Sequence, residues 1–131
     1  MKNKGTRGER ELFHLLWDTK EWGVLRSAGS GSTPMPSPDL LASNGKRYLA
    51  IECKVIGNTN KFFSEEEIQQ LLEFSNKFGA EPWIAIKFDY IGWYFLQPKE
   101  INKTKNGYSI TLDLAKEKGI QLKDLLKCQT L

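Results

Sequence analysis

A mixed α/β fold is predicted, with a central β-sheet of about five strands flanked by helices. Two strand pairs and the helical patterns around them carry that expectation. Residues 40–43 and 46–55 read as strands on either side of Asn44-Gly45, a pair that favours a hairpin turn. Residues 82–88 and 92–96 form a second hairpin, rich in aromatic and β-branched side chains. Helical patterns precede the first hairpin, separate the two and close the chain.

Thr6-Arg7-Gly8-Glu9 fits a capping box at the start of a first helix. Leu12, Phe13, Leu15, Leu16 and Trp17 then form an apolar stripe that runs to about Lys20. Glu9 precedes Leu12 and Phe13 by three and four residues, which points it inward at the helix start. It serves there either as a cap or as a third carboxylate beside the first hairpin. His14, the one histidine, reads as a helix-surface residue. Residues 22–26 make a first strand. Residues 28–38 are rich in Gly, Ser and Pro and form either a plain connector or a mobile arm that orders on a ligand; their length, long for a joint between two neighbouring strands, favours a functional loop.

In the first hairpin a two-residue turn at Asn44-Gly45 would set residue 43 opposite 46 and residue 39 opposite 50. Directly paired side chains share a face, and side chains alternate along a strand. Asp39, Ala50, Glu52 and Lys54 would then share one face, with Asp39 and Glu52 as diagonal neighbours. Leu40, Leu49, Ile51, Cys53 and Val55 would point into an apolar layer. Two acids and a lysine on one patch suit metal-dependent phosphodiester cleavage. An isolated Glu-x-Lys is ordinarily a solvated strand face. Here Arg47-Tyr48-Leu49-Ala50-Ile51 is too apolar for a free edge, so Glu52 interrupts a covered strand and needs a cation or donors. Pro38, lacking an amide, suits the strand entrance before Asp39.

Ser64-Glu65-Glu66-Glu67 opens a second helix with another capping box, its acids at the positive end of the helix dipole, and Gly79 supplies the stop. Ile68, Leu72 and Ser75 form one ridge; Leu71, Phe74 and Phe78 form another. The second ridge either meets a partner subunit or lies deep in the core. The Trp and Tyr of the second hairpin are read as core. Residues 108–110 are taken as a short edge strand, and a last helix covers 122–127.

With 131 residues the chain is the size of a single domain spanning 1–131. Its 40% hydrophobic and 27% charged residues place it among soluble globular proteins. No apolar run approaches the ~20 residues of a membrane span, so no membrane partner is expected. Cys53 and Cys128 are far apart and outside any C-x-x-C spacing, which points away from zinc and disulfides and towards the cytoplasm. The net charge of +3 is too small to declare a nucleic-acid partner. Lys2, Lys4, Arg7 and Arg10 crowd the N-terminal end, however, and with Arg26 they would either line a phosphate track or simply aid solubility.

These stretches resemble one family, the archaeal-type Holliday junction resolvases, small nucleases of the restriction-endonuclease-like fold. The matching residues are Lys4-Gly5 with Glu9-Arg10-Glu11-Leu12, Arg26-Ser27-Ala28-Gly29-Ser30-Gly31, Pro38-Asp39, Asn44-Gly45, Ile51-Glu52-Cys53-Lys54, Glu73-Phe74 and Phe78-Gly79. They span residues 4–96 in order; beyond Leu96 the similarity fades. The acid–spacer–lysine triplet marks only the fold superfamily, whereas the Glu-Arg-Glu helix start and the Arg-Ser-Ala-Gly-Ser-Gly loop are narrower signals.

The resemblance implies a magnesium-dependent endonuclease that resolves four-way DNA junctions as a homodimer, with manganese as a substitute metal. Glu9, Asp39 and Glu52 would hold the metal, and Lys54 would position the attacking water or offset charge on the phosphate. Ser30 matches a serine needed for cleavage, a phosphate-positioning role. Arg10 and Arg26 match DNA-phosphate contacts, alongside the basic Lys4 and Arg7. Phe74 and Phe78 match dimer-interface aromatics, with Leu71 on the same ridge. Cys53 departs from the usual β-branched or larger spacer, on the apolar side and without catalytic consequence. Another nuclease of the same fold acting on duplex or branched DNA, or a non-catalytic DNA-binding module, stands as the alternative. A sliding clamp or helicase partner is left open.

Overall fold

Residues 4–27 and 35–127 are described by a computed structural model. A helix α1 (Lys4–Trp17) precedes strands β1 (Gly23–Arg26), β2 (Leu40–Ser43), β3 (Tyr48–Ile56) and β4 (Asn60–Ser64). Helix α2 (Glu65–Phe78), strands β5 (Glu81–Phe88) and β6 (Gly92–Leu96), and strands β7 (Asn102–Thr104) and β8 (Gly107–Thr111) follow. Helices α3 (Leu112–Lys118) and α4 (Leu122–Lys127) complete the order. The main sheet has five strands in the order β1-β2-β3-β5-β6. All its pairs are antiparallel except β3 with β5, whose parallel register the β4–α2 crossover makes possible. The fold class is the one predicted.

The sheet is buried on both faces. One face presents Leu40, Ala42, Leu49, Ile51, Cys53 and Ala85 to Leu12 and Leu16 of α1 and Leu125 of α4. The opposite face presents Ala50, Ile84 and Ile86 to Ile68 and Leu71 of α2 and to Phe63 and Ile110 of the smaller sheet. Burial on both sides explains why β3 and β5 read as nearly continuous apolar runs rather than alternating ones.

The first hairpin is wider than a two-residue turn. Ser43 pairs with Tyr48 and Leu40 with Ile51, leaving residues 44–47 as the connection. Asn44 shapes it, its Oδ1 accepting the amides of Lys46 (2.9 Å) and Arg47 (2.8 Å). Arg47 is turned inward, 8% exposed, where it donates twice to Glu81 at 2.8 Å and to the Leu125 carbonyl at 2.7 Å. An arginine drawn inside for those bonds cannot also sit at the first ladder position. The slip is two residues, and because strand side chains repeat every two, every face assignment survives it. Continuing the register one step brings Asp39 level with Glu52 instead of diagonal to it.

Three further expectations are corrected. The first helix begins by Lys4, so Thr6-Glu9 is not its capping box, and it ends at Trp17. Leu15 and Trp17 are 40% and 54% exposed, outside the buried stripe. Tyr108-Ser109-Ile110 belongs to the middle strand of a second, three-stranded sheet, β4-β8-β7, rather than to an edge. The short strands of that sheet, with turn-rich Gly57-Asn58-Thr59 before β4 and Lys105-Asn106 before β8, carry too few periods to stand out from loops.

Candidate active site

Pro38 and the start of β2 fix Asp39. Its carbonyl accepts the Ser27 amide at 3.0 Å, tying it to the end of β1, and its Oδ2 accepts the Cys53 amide at 2.8 Å. The carboxylate is thus held against the middle of β3, where Glu52 and Lys54 emerge on the α2 side. A cavity of about 180 Å³ opens there, lined by Pro38, Asp39, Glu52, Glu67, Gln70 and Leu71. A roomier groove of about 510 Å³ lies beside Arg7, Glu11, Lys87 and Tyr90. Its acids, Glu11 and Asp89, lie among the cations Arg7 and Lys87, whereas Asp39 and Glu52 lie together, which makes the smaller cavity the candidate site.

Electrostatics there are unfavourable to the bare acids. Burial, and then the charge of Asp39, pushes the Glu52 carboxyl up to about 7. Burial also raises Asp39, and Glu9 adds to it, against the opposing Cys53 amide and the Lys54 and Arg26 charges. Burial pulls the Lys54 ammonium down, but Glu52, Glu67 and Asp39 outweigh it and hold it above its ordinary value. Lys54 Nζ lies 3.7 Å from Glu52 and 3.4 Å from Glu67. The Cys53 thiol, pushed up mainly by burial, stays protonated and takes no part.

Glu9 does not line the cavity. Its Oε1 accepts Arg26 Nε at 2.9 Å, and α1 lies over the Cys53 face of the sheet while Glu52 points to the other. Among the described residues no group of three or more His, Cys, Asp or Glu is placed to hold a metal ion. Of the expected three-acid set, Asp39 and Glu52 line the cavity, and Glu9 stands close enough for its charge to raise Asp39. Two repelling carboxylates around one small polar cavity, short of positive charge, do fit a hard dication such as magnesium. That ion takes one or two protein carboxylates and completes its shell with waters and phosphate oxygens.

Arg7 and Arg10 are exposed on α1, whereas Arg26 is half-buried against Glu9. Ser30 and the Lys4 side chain lie outside the described residues. Phe74 and Phe78 stack at 5.2 Å, and Tyr48 meets Phe78 edge-on at 6.4 Å. Phe78 is half exposed, but Leu71 is 4% exposed in the sheet core, which corrects its assignment to the outer ridge. Glu67 was missed as a site residue. Its only sequence signal was the capping box, which explained it fully: Ser64 and Glu67 exchange both cap bonds at 3.0 Å.

A five-stranded mixed sheet between helices, with an acid pair and a lysine projecting beside its central strand, defines an α/β protein of the nuclease type. A family model described as "Archaeal holliday junction resolvase (hjc)" matches residues 1–131, and the chain belongs to that family. It is 40% identical to the crossover junction endodeoxyribonuclease Hjc of Archaeoglobus fulgidus over 110 residues, 84% of this chain and 80% of that protein. It is 32% identical to the crossover junction endodeoxyribonuclease Hje of Saccharolobus solfataricus over 126 residues, 94% of this chain and 87% of that protein. The fold matches the solved structure of Archaeoglobus fulgidus Hjc, a Holliday junction resolvase from an archaeal hyperthermophile. The TM-score is 0.86 at 34% identity, over 92% of this chain and 98% of that one.

Proposed function

We propose that this chain, acting as a single nuclease domain over residues 1–131, resolves four-way DNA junctions by paired, metal-dependent nicks in opposing strands. One observation supports the reading above the rest: in a chain of the Hjc family, Asp39 and Glu52 share a half-buried cavity with Lys54 beside it. Asp39 and Glu52 would hold magnesium, or manganese in its place. When bound, the ion supplies Lewis-acid polarisation of the scissile phosphate and a bound water of lowered pKa. Lys54 carries the positive charge that meets charge building on the phosphate oxygens. The Cys53 amide fixes the orientation of Asp39, and Pro38 and Leu71 wall the cavity against bulk water. Glu9 orients Arg26, which with Arg7, Arg10 and Lys4 would carry DNA phosphates; Ser30 would position the phosphate at the cut. Such contacts read shape and backbone rather than base edges. Phe74 and Phe78 would join two copies, and a two-fold dimer matches the two-fold symmetry of a junction.

The test is a labelled immobile junction incubated with and without magnesium and resolved on a denaturing gel, with its linear duplex arms at equal salt. Symmetric nicks confined to the junction are expected. Equal cutting of the arms would mean a duplex nuclease, and binding without nicking in either metal would mean a non-catalytic module. Asp39→Asn is expected to lose cleavage by a hundredfold or more, on the order of one lost metal ligand, while still shifting the junction on a native gel. Normal nicking by that variant would remove Asp39 from the metal site.

A further inference from the structure

Lys54 is held from two sides, and the second holder lies outside the acid pair. Glu67 stands 3.4 Å from Lys54 Nζ, closer than Glu52 at 3.7 Å, and lines the same cavity. Glu67 is itself held: its Oε1 accepts the Ser64 amide at 3.0 Å, and its own amide donates to Ser64 Oγ at 3.0 Å. Those bonds close the N-cap of α2, whose buried residues Ile68, Leu71 and Ser75 fix the helix on the sheet. A rigid bracket thus runs from the helix cap to the ammonium. Glu52, by contrast, is a carboxylate for which a dication would compete with the ammonium, because a hard dication takes carboxylate oxygens as ligands.

We infer that Glu67 is a positioning residue for the reaction, holding the Lys54 ammonium at the scissile phosphate when Glu52 is committed to the metal. The inference rests on the junction-cleaving reading of the same cavity. Glu67 stays ionised in this role: burial opposes its charge, but the Ser64 amide and Lys54 hold its carboxyl below the ordinary value.

Glu67→Gln separates this role from the cap, because glutamine at the third helical position completes a capping box as glutamate does. The variant is expected to keep the wild-type Tm and junction Kd, and to lose about tenfold in the single-turnover rate at saturating junction, the scale of a small misplacement. In a Lys54→Ala background the same substitution is expected to change nothing further, since the group it positions is gone. Ser64→Ala, which removes the Oγ half of the cap, is expected to lower Tm. A wild-type rate in Glu67→Gln overturns the inference, as does full additivity with Lys54→Ala. A raised magnesium requirement would make Glu67 a ligand and overturn it too. If the wild-type chain nicks no junction in magnesium, the functional reading fails first and takes this one with it; if the wild type cleaves and Glu67→Gln matches it, only this inference fails.

Discussion

Glu52 carries opposite demands in the folded chain: its backbone is inside a covered strand, and its side chain lies beside a second carboxylate. Its carboxyl is pushed up to about 7 from 4.5. An acid raised on folding stabilises in its protonated form. That contribution is whole below the unfolded value and is lost as pH rises through the folded one. At 1.36 kcal/mol for each pKa step the swing is about 3 kcal/mol. In chelator, Tm is therefore expected to fall across the window from about 4.5 to 7, with Asp39 adding in the same direction. Glu52→Gln is expected to flatten that slope, and magnesium to raise Tm most at the upper end, where both acids are ionised. Thermal unfolding followed by circular dichroism checks this; an unchanged slope in Glu52→Gln would place the burial penalty elsewhere. Glu81 has the opposite sign. Burial works against its charge, but the Arg47 bonds win and hold it below the ordinary value. Its contribution is lost as the solution turns acid.

Among the elements, the contact of α1 with β3 sets where Glu9 and Arg26 stand. Gly8 is buried there, and a Cβ on it would overlap Val55 Cγ2. Alanine in a helix interior is ordinarily worth about 1 kcal/mol over glycine. Overpacking a tight contact costs about 1–3 kcal/mol, and a β-branched valine on a central strand has little room to yield, so the clash decides the sign. Gly8→Ala is expected to lower the urea midpoint, and Gly8→Ala with Val55→Ala to recover most of it. A stabilised single variant would mean that α1 slides over β3 freely. Helix α2 was legible because its signals are local: the Ser64 capping box at its start and the Gly79 stop at its end. Gly79 does end α2, at φ 77° with its amide on the Ser75 carbonyl. The turn at Asn44 was read too tight because Arg47 answers to Glu81 and Leu125, partners far away in sequence.

For the whole molecule the proposal turns on whether two copies join through α2. Phe78, half exposed and stacked on Phe74, contributes little to the monomer's core. Phe78→Asp is therefore expected to halve the mass seen by sedimentation equilibrium, since a charge at Phe78 stays solvated in the monomer but would be buried and unpaired in an interface. On a junction held in a supercoiled plasmid, the monomer is expected to nick one strand at a time instead of both within one encounter. A dimeric Phe78→Asp would move the interface off this helix. Among the described residues no helix is long and apolar enough to cross a membrane.

Alternation along a strand is intrinsic to the backbone, and the register differs from the expected one by an even two residues, so the side of the sheet shared by Asp39, Glu52 and Lys54 was legible in the sequence. The sequence likewise determined the class of fold and the start and stop of α2. Only the tertiary structure decided the partners. It turned Glu9 to Arg26 rather than into the cavity, brought Glu67 from a helix cap to Lys54, and placed Leu71 in the core. Each of those outcomes depends on distances between elements far apart in the chain, which packing sets and local pattern does not encode.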